Sequence, residues 1–466
     1  MNIIISSPET RISIITGIAA FSIYFMISSA TLANPLIADN FNLGTTEMGF
    51  VIQAHLLGAV MFLIPAAKLG DIYSHIRIFS SGAIIFAATS FFCSVSVSGA
   101  EMILFRLIQG IGDGMMTATA LVLLTKVYRS ESRGKAIGFF LFAGYFGYIT
   151  GMSAGCIFAD ILGWHSVFLA AALFSSIAGM LGFKSKTIFN FEKDTQKKKF
   201  DTKGMILFCP AIVFVTAGIS GFIPDLRILF ITIGAVLFVF FAEAEKNSEN
   251  PLFCFSVFKR NRVFSFSICA DFLYYMTIGC ITYILSIYLE SGLYYSAFAA
   301  GMLIIPVSLM QGALSPFAGY LSDKFEPRYI TATGMAVIVI TLLFFANAAE
   351  NGAEPILISF MLAVTGTGYA LFSSPNKNAI MGSVKARFHG EASGIANTFE
   401  QMGNIASISI AAMIITHFAG NTKITPDALP HFLEGMQMVF LVMALIGAVN
   451  IIICLKRGDI RKRYPD

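Results

Sequence analysis

The sequence predicts an all-α polytopic membrane protein with fourteen transmembrane helices, and three observations lead to this fold class. First, 56% of the 466 residues are hydrophobic and only 12% are charged, whereas soluble proteins carry about a quarter of their residues charged. Second, the apolar residues form runs of about 20, the length of a membrane-spanning helix. Third, Lys and Arg are concentrated in alternate loops. This composition excludes soluble enzymes, disordered chains and nucleic-acid-binding proteins.

Fourteen apolar runs are predicted to be helices, because backbone N–H and C=O groups in hydrocarbon find hydrogen-bond partners only within a helix. In chain order the runs are 12–37, 46–69, 77–98, 101–127, 134–159, 164–183, 204–222, 225–243, 263–289, 296–321, 329–348, 354–382, 390–418 and 432–455. No cleavable signal peptide is expected, since the first run is too long and no small-residue cleavage site follows it.

The distribution of basic residues supports this division into helices. One set of alternate loops contains 28 of the 31 Lys and Arg residues, the opposite set contains only Arg227 and Lys423, and Arg106 lies inside a predicted span. Because short cytoplasmic loops are enriched in Lys and Arg, both termini are predicted to be cytoplasmic. The expected location is the cell membrane, as a multi-pass protein.

Glycines that recur 256 residues apart indicate two related halves. The pairs are Gly110 and Gly366, Gly112 and Gly368, Gly134 and Gly390, Gly138 and Gly394, and Gly147 and Gly403. This offset is longer than six helices require, and the two runs between 204 and 243 account for the surplus. The predicted organisation is 6 + 2 + 6: a six-helix bundle at 1–184, basic linkers with two inserted helices at 185–262, and a second six-helix bundle at 263–466.

The loop after the second run reads Ala67-Lys-Leu-Gly-Asp71-Ile-Tyr-Ser-His-Ile-Arg77. It resembles the loop motif of the major facilitator superfamily, Gly-x-Leu-(Ala/Gly)-Asp-(Arg/Lys)-x-Gly-Arg-(Arg/Lys). The resemblance implies the major facilitator fold and a conformational latch that uses Asp71 and Arg77, since a carboxylate at a helix end can pair with arginine and with a neighbouring helix N-terminus. Ala67, Ser74 and His75 replace the Gly, Gly and Arg of the motif.

A second copy of the loop motif follows the tenth run. It reads Gly319-Tyr-Leu-Ser-Asp323-Lys-Phe-Glu-Pro-Arg328. The resemblance assigns Asp323 and Arg328 to the same latch. An ordinary solvated loop is the alternative, and the presence of two copies argues against it.

Helix 4 contains an arginine within its apolar run, in the segment Arg106-Leu-Ile-Gln109-Gly110-Ile-Gly112. A cation in hydrocarbon is costly and normally faces a cavity or a partner. The segment resembles the superfamily motif Arg-x-x-Gln-Gly-x-Gly, whose arginine influences proton transfer, and this role is implied for Arg106. Asp113 lies about two turns further on the same helical face. Proton coupling and a structural salt bridge are both open for Arg106 and Asp113.

Helix 5 has small residues at every fourth position, namely Gly147, Gly151 and Gly155. Such spacing lets helix backbones approach closely. The segment resembles the superfamily's antiporter motif Gly-x-x-x-Gly-Pro-x-x-Gly-Gly, which implies a helix-packing hinge at these glycines. Met152 and Cys156 replace the proline and the last glycine of the motif.

The segment Gly163-Trp-His-Ser-Val-Phe168 is similar to Gly-Trp-Arg-Trp-x-Phe of the fourteen-helix drug:proton antiporter family. The helix count and the order of the motifs also resemble that family along essentially the whole chain. In helix 1 the family has an acid at the position that Met26 occupies here. If transport is coupled to protons, the proton-carrying carboxylate must therefore lie in another helix.

Three acids lie well inside the predicted spans, and they are the candidates for proton coupling, in the order Asp271, Glu400 and Asp113. The first two lie roughly 12 Å from the start of their helices at about 1.5 Å per residue, near the midplane where carriers place their ion sites. Burial favours the neutral form of a carboxylate. Arg106 cannot neutralise three acids, which favours at least one that titrates, while structural ion pairs remain the alternative.

Further polar and aromatic residues are predicted to line a central substrate cavity. They are Tyr24, Gln53, His55, Tyr145, Tyr148, Tyr274, Tyr275, Gln311, Asn376 and Asn397. A single histidine such as His55 is more often a hydrogen-bonded core residue than a proton relay.

These features predict a secondary active transporter that exports lipophilic or cationic small molecules in exchange for protons, by alternating access. The alternative is a proton symporter or uniporter that imports a small metabolite. A membrane-embedded enzyme would need clustered Asp or His for metal–phosphate chemistry, and the sequence has no Asp-Asp-x-x-Asp run and no paired His. We expect a monomer with a small-molecule substrate and membrane lipid as partners, without nucleic acid, metal or cofactor, and with H⁺ as the coupling ion.

Overall fold

The computed structural model describes residues 7–128, 133–185, 201–220, 226–246, 248, 261–351, 354–384, 389–420 and 428–459. Within these ranges every regular element is a helix. Fourteen helical stretches are long and apolar enough to span a membrane. The number of spans that the sequence predicts is therefore confirmed.

The elements of the N-terminal part are α1 (Pro8–Leu32), α2 (Asn34–Phe41), α3 (Thr45–Tyr73), α4 (His75–Ser94), α5 (Gly99–Val127), α6 (Arg133–Thr150), a π-helical turn (Gly151–Gly155), α7 (Cys156–Leu162), α8 (His165–Lys184), α9 (Thr202–Ser220) and α10 (Arg227–Lys246). The elements of the C-terminal part are α11 (Arg262–Ile278), α12 (Ile281–Ile287), a second π-helical turn (Tyr288–Gly292), α13 (Ala297–Lys324), α14 (Pro327–Asn351), α15 (Pro355–Gly382), α16 (His389–Ala419) and α17 (Leu429–Lys456).

The first span ends earlier than the sequence predicts. The apolar run suggests one helix over 12–37, but α1 ends at Leu32 and the short helix α2 begins at Asn34. Pro35 lacks a backbone N–H and therefore cannot continue the hydrogen-bond ladder of α1. Hydropathy alone does not register this break, because the residues on both sides of it are apolar.

Polar side chains fix where several helices begin. In each case a side-chain oxygen one residue before the helix accepts a backbone N–H of the first turn, which satisfies a donor that has no partner within the helix. These caps are Ser7, Ser98, Asn261 and Ser296, at donor–acceptor distances of 3.2, 3.3, 3.1 and 3.2 Å.

The chain divides into two compact units. The first comprises Met1–Phe41, Phe50–Val215 and Ile228–Phe253, and the second comprises Asn42–Gly49, Thr216–Arg227 and Cys254–Asp466. Most of α9 and α10 belongs to the first unit, where Sγ of Cys209 lies 3.5 Å from the carbonyl oxygen of Met61 in α3. The predicted boundaries of the 185–262 insert stay a prediction, because 186–200 and 249–260 lie outside the described residues.

Helices pair in the same order within each unit. In the first unit α4 packs against α5 and α8, and α1 packs against α6. In the second unit α14 packs against α15 and α17, and α11 packs against α16. The corresponding helices come from corresponding places in the predicted repeat, as expected for a duplicated bundle.

Three of the repeated glycine pairs, 110/366, 112/368 and 147/403, lie where helices approach each other, whereas a Cβ on Gly138 or Gly394 has no atom within 4 Å. A Cβ on Gly403 in α16 would lie 2.6 Å from the carbonyl oxygen of Phe272 in α11, and a Cβ on Gly147 in α6 would meet that of Phe21 in α1. No side chain fits at such distances. The 256-residue repeat is therefore a repeat of backbone contacts.

Candidate functional site

Arg106 is the centre of a buried polar cluster in the first unit. Its side chain lies on α5 and is 1% exposed. Nε donates to the carbonyl oxygen of Val51 in α3 at 3.0 Å, and Nη1 donates to Oε1 of Gln109 at 2.6 Å. Gln109 in turn donates to the hydroxyl of Ser90 in α4 at 2.6 Å. One guanidinium thereby connects three helices through directional hydrogen bonds.

Asp113 pairs with a residue of another helix. Its Oδ2 lies 3.1 Å from Nε2 of His55 in α3, and its Oδ1 accepts a hydrogen bond from the hydroxyl of Thr117 at 2.8 Å. In the described part of the chain, Asp113 is thus bound to His55 and Thr117, and its charge also acts on Arg106 without a direct ion pair. A salt bridge between Arg106 and Asp113 was one of the two interpretations of the sequence, but Asp113 instead pairs with His55.

Asp271 lies on α11 in the interior of the second unit and is 1% exposed. Its Oδ1 accepts a hydrogen bond from Nδ2 of Asn376 in α15 at 3.0 Å. Its Oδ2 accepts no hydrogen bond from any described residue. A buried carboxylate oxygen without a donor is costly when ionised, so this position favours a carboxyl group that can be neutral.

Glu400 on α16 lies close enough to Asp271 for their charges to interact. Its Oε2 lies 3.5 Å from Nζ of Lys377, and its charge also acts on the hydroxyl of Tyr275. The Glu400 side chain is 21% exposed and that of Lys377 is 52% exposed. Lys377 lies within α15. Unlike Asp271, Glu400 therefore has a cation beside it and access to the surface.

Sequence reasoning missed Arg457 as a member of the buried set. The basic tail after the last apolar run suggested a solvated residue, and Arg106 was expected to be the one cation inside a span. Instead the Arg457 side chain turns into the second unit and is 0% exposed. Its Nη1 donates to Oδ1 of Asn376 at 2.8 Å and to Ser267 at 3.3 Å, and its Nη2 donates to Thr331 at 3.4 Å. Its sequence signal, a basic residue just after an apolar run, is the same as that of a surface residue.

The predicted cavity residues fall into two groups by exposure. Gln53, His55, Tyr274 and Asn376 are buried inside their own units. The remaining residues are partly or largely exposed, namely Tyr24, Tyr145, Tyr148, Tyr275, Gln311 and Asn397. Two members of the buried group bind the acids, since His55 contacts Asp113 and Asn376 donates to Asp271. Tyr274 contacts Tyr275 of the second group, with ring centroids 4.9 Å apart.

The first loop motif forms its contact with a residue that departs from the motif. Oδ1 of Asp71 lies 3.3 Å from Nε2 of His75, and Nδ1 of His75 lies 3.3 Å from Nζ of Lys126. Arg77 is exposed. Ser74, which occupies a glycine position of the motif, has φ 147°, a backbone region that glycine enters most readily. The loop thus keeps the glycine-like turn without the glycine.

In the second loop motif, Arg328 pairs with an acidic residue just beyond α17. Its Nη2 lies 2.7 Å from Oδ1 of Asp459, just beyond α17, and its guanidinium lies 4.6 Å from the ring centroid of Tyr329. The backbone of Asp323 lies in α13, while its side chain lies outside the described residues. Arg328 therefore connects the loop to the C-terminal segment.

The three glycines of the fifth predicted span lie in α6 and the π-helical turn that follows it, and all three face α1. Gly151 and Gly155 bound a single π-helical turn at the place where the family motif has its proline. Cβ atoms on Gly151 and Gly155 would meet the hydroxyls of Ser28 and Ser29. A π-helical turn is a local irregularity that often marks a functional position, and here it forms without proline.

Comparison with known proteins identifies the family. The family model described as Major Facilitator Superfamily matches residues 16–404 and 267–465. The chain belongs to the Major Facilitator Superfamily. Membership of this superfamily makes the protein a secondary transporter and not an enzyme, in agreement with the fold and the prediction from the sequence.

Relatives within the superfamily carry different substrates. The riboflavin transporter RibZ of Clostridioides difficile is 27% identical over 442 residues, 93% of this chain and 94% of RibZ. The multidrug resistance protein Stp of Mycobacterium tuberculosis is 24% identical over 417 residues, 88% of this chain and 76% of Stp. The putative multidrug resistance protein MdtD of Escherichia coli is 23% identical over 421 residues, 88% of each chain.

Solved structures of other transporters share the fold. A bacterial homolog of the human lysosomal transporter Spinster, in an inward-facing and unoccupied conformation, matches with a TM-score of 0.69 at 16% identity, over 97% of both chains. The nucleoside transporter NupG matches with a TM-score of 0.63 at 12% identity, over 96% of this chain and 98% of NupG. These likenesses show the fold of this chain.

Proposed function

We propose that this superfamily member exports lipophilic or cationic small molecules in exchange for protons, and that Asp271 and Glu400 carry the proton. The observation that supports this most directly is the burial of Asp271 with one carboxylate oxygen that accepts no hydrogen bond from any described residue, in the unit that also contains Glu400. Their charges interact, and Asp271 is almost fully buried. Two like charges in a low-dielectric interior repel each other, so the pair favours a state in which one acid holds a proton.

The two acids differ in access, which suggests different roles. Glu400 is 21% exposed and has Lys377 and Tyr275 beside it. Asp271 is buried and has one amide donor. In the proposed cycle, Glu400 exchanges with water or with a cationic substrate, and Asp271 keeps the proton until the site opens. Competition between proton and substrate for one acidic site is what couples their movements.

Aromatic side chains around Asp271 support a lipophilic or cationic substrate. Tyr274 stacks on Phe372 with ring centroids 4.1 Å apart, and Tyr275 and Tyr369 pack against its other sides at 4.9 and 6.0 Å. Aromatic faces attract cations and bind apolar groups. The names of Stp and MdtD as multidrug resistance proteins agree with this class of substrate.

A proteoliposome experiment tests the proposal. The purified protein is reconstituted, a pH gradient is imposed, and the accumulation of ethidium is followed together with the luminal pH. We expect ethidium movement that is driven by the gradient and accompanied by an opposite movement of protons. Accumulation that survives a protonophore would contradict proton coupling.

Acid variants identify the coupling residues. Asp271→Asn is expected to abolish gradient-driven accumulation while it retains exchange of labelled for unlabelled substrate, because an amide cannot carry the proton. Glu400→Gln is expected to weaken both gradient-driven accumulation and substrate exchange. Glu354→Gln, which neutralises an exposed acid just before α15, is the matched control and should leave both unchanged. Full coupling in Asp271→Asn would remove Asp271 from the mechanism.

We also propose that both termini are cytoplasmic, in a multi-pass protein of the cell membrane. The concentration of Lys and Arg in one set of loops supports this orientation. A fluorescent protein and a phosphatase, each fused to the C-terminus, report opposite sides of the membrane. We expect fluorescence without phosphatase activity, and the reverse result would invert the topology.

Import of a small metabolite is the second candidate function. The likeness to RibZ, which covers nearly the whole length of both proteins, supports a flat aromatic metabolite such as riboflavin. Right-side-out and inverted membrane vesicles separate the two functions. Riboflavin uptake by right-side-out vesicles, without ethidium transport in inverted ones, would favour import over drug export.

A further inference from the structure

The end of α17 is held by contacts from several helices of the second unit. Arg457 turns inward to Asn376, Ser267 and Thr331, while Asp459 binds Arg328 at 2.7 Å. Gly458, between them, has φ +98°, which lets the two neighbouring side chains diverge. The chain therefore ends its last helix with a buried cation.

Asn376 connects that cation to the buried acid. Its Oδ1 accepts from Nη1 of Arg457 at 2.8 Å, and its Nδ2 donates to Oδ1 of Asp271 at 3.0 Å. A guanidinium only donates and an ionised carboxylate only accepts. The amide therefore has one favourable orientation, with its oxygen toward Arg457 and its nitrogen toward Asp271, and the reverse orientation would place like groups together on both sides.

We propose that Arg457 is a positioning residue for the proton site, which acts through Asn376 to stabilise the ionised form of Asp271 and so sets the pH at which Asp271 releases its proton. The inference rests on the proposed function, in which Asp271 carries the coupled proton. Arg457 does not touch Asp271. It orients the amide that does, and its positive charge polarises that amide toward the carboxylate.

The other charged and titratable groups near this network are Glu400 on α16, Lys377 on α15, Tyr274 and Tyr275 on α11, Cys454 on α17, Arg328 in the first turn of α14, and Glu326 just before it. Lys377 is half exposed and already paired with Glu400. Arg328 is paired with Asp459. Among the described residues, Arg457 is thus the buried cation whose hydrogen bonds lead to Asp271.

The position of Arg457 explains why a single acid can stay deep in the second unit. An ionised Asp271 with only an amide donor would be poorly compensated. The chain Arg457–Asn376–Asp271 supplies a compensating charge without forming a direct ion pair. A direct pair would favour the ionised carboxylate more strongly, whereas an amide between the charges leaves the acid able to accept a proton more readily.

An infrared titration of the purified protein in lipid tests this role without relying on transport. The absorption of protonated carboxyl groups is followed as the pH is raised, and the part that is lost in Asp271→Asn belongs to Asp271. Arg457→Gln is expected to move the midpoint of that signal by about one unit to more alkaline pH, which corresponds to a tenfold change in the proton equilibrium. Arg457→Lys should bring the midpoint part of the way back to the wild-type value, because it retains the positive charge.

Matched variants separate positioning from general damage. Lys456→Gln removes the same charge one residue earlier from an exposed side chain and should leave the midpoint unchanged. Asn376→Ala provides a second route if Arg457→Gln does not fold, and it should shift the midpoint in the same direction. Adding Arg457→Gln to Asn376→Ala should then produce little further shift, because the connection is already broken.

An Asp271 signal that titrates at the same pH in wild type, Arg457→Gln and Asn376→Ala would overturn the inference. That result leaves the transport assays unaffected. Conversely, absence of proton-driven transport in the wild type would contradict the proposed function while the infrared shift still reported the coupling of Arg457 to Asp271.

Discussion

Nε2 of His55 lies 3.1 Å from Oδ2 of Asp113, in a buried contact between α3 and α5. The two helices approach closely at the same level, since a Cβ on Gly110 would meet the carbonyl oxygen of His55. The glycine brings the backbones together, and the side-chain pair then bonds across the contact. Thr117 satisfies the other oxygen of Asp113 at 2.8 Å. Both carboxylate oxygens of Asp113 therefore have a hydrogen-bond partner, unlike those of Asp271.

We expect the His55–Asp113 contact to stabilise the first unit. His55→Ala and Asp113→Ala should each lower the free energy of unfolding, because each leaves a buried polar partner unsatisfied. The double variant should lose less than both losses together, with a coupling energy of about 1–3 kcal/mol. Unfolding in mixed detergent micelles measures all three variants. Strict additivity would show that the two side chains do not interact.

Arg106→Lys should not preserve the stabilising hydrogen bonds of Arg106. The guanidinium reaches Val51 with Nε and Gln109 with Nη1, and one ammonium group cannot occupy both directions. We expect a loss of stability of about 1–3 kcal/mol, as for a buried hydrogen bond that is left unmade. Arg77→Lys, at an exposed arginine, is the control. Equal thermal midpoints for the two variants would indicate that only the charge of Arg106 matters.

Alanine should be tolerated at one glycine of α6 and rejected at another. A Cβ on Gly147 would meet the carbonyl oxygen of Phe21, whereas a Cβ on Gly138 has no atom within 4 Å. Gly147→Ala must separate α6 from α1 and should destabilise the protein by about 1–3 kcal/mol. Gly138→Ala should be neutral or stabilise the helix by up to about 1 kcal/mol. Thermal unfolding followed by light scattering compares the two variants. An unchanged unfolding midpoint for Gly147→Ala would mean that α6 and α1 separate at little cost.

Ser74→Gly should stabilise the first loop motif. Ser74 has φ 147° and its side chain makes no capping hydrogen bond to α4. Replacement by glycine relieves backbone strain of about 1–3 kcal/mol. The greater freedom of glycine in the unfolded chain opposes this gain by about 0.5–1 kcal/mol. We expect a higher unfolding midpoint for Ser74→Gly and a lower one for Ser74→Val. A lower midpoint for both would show that the serine itself is needed.

Much of the architecture follows from the sequence because the membrane imposes strong rules on it. Hydrocarbon requires internal backbone hydrogen bonds, so runs of apolar residues give the number of spans, and the structure has the same fourteen. The recurring glycines predict a duplicated bundle because close helix contacts tolerate no side chain, and Gly147 and Gly403 make equivalent contacts. The break after Leu32 was missed because hydropathy averages over it.

The members of the candidate site could be selected from the sequence, but their partners could not. Polar residues in apolar runs are rare, so Asp113, Asp271, Glu400 and Arg106 stand out. Which side chains meet depends on the rotation and tilt of several helices, and the positions of the spans in the sequence do not specify either. Asp113 accordingly pairs with His55, and Lys377 belongs to the helix that brings it to Glu400.

By itself the sequence determined that this protein is a helical membrane transporter with a few ionisable groups inside its spans. Charged side chains and backbone groups without hydrogen bonds are costly in hydrocarbon, and this cost restricts the composition and spacing of the sequence. Only the tertiary structure decided that Arg457 is one of those groups. A basic residue at the end of an apolar run can extend to water or turn inward. Here the inward direction is selected by Asn376, Ser267 and Thr331, which come from three different helices and meet only after the bundle has packed.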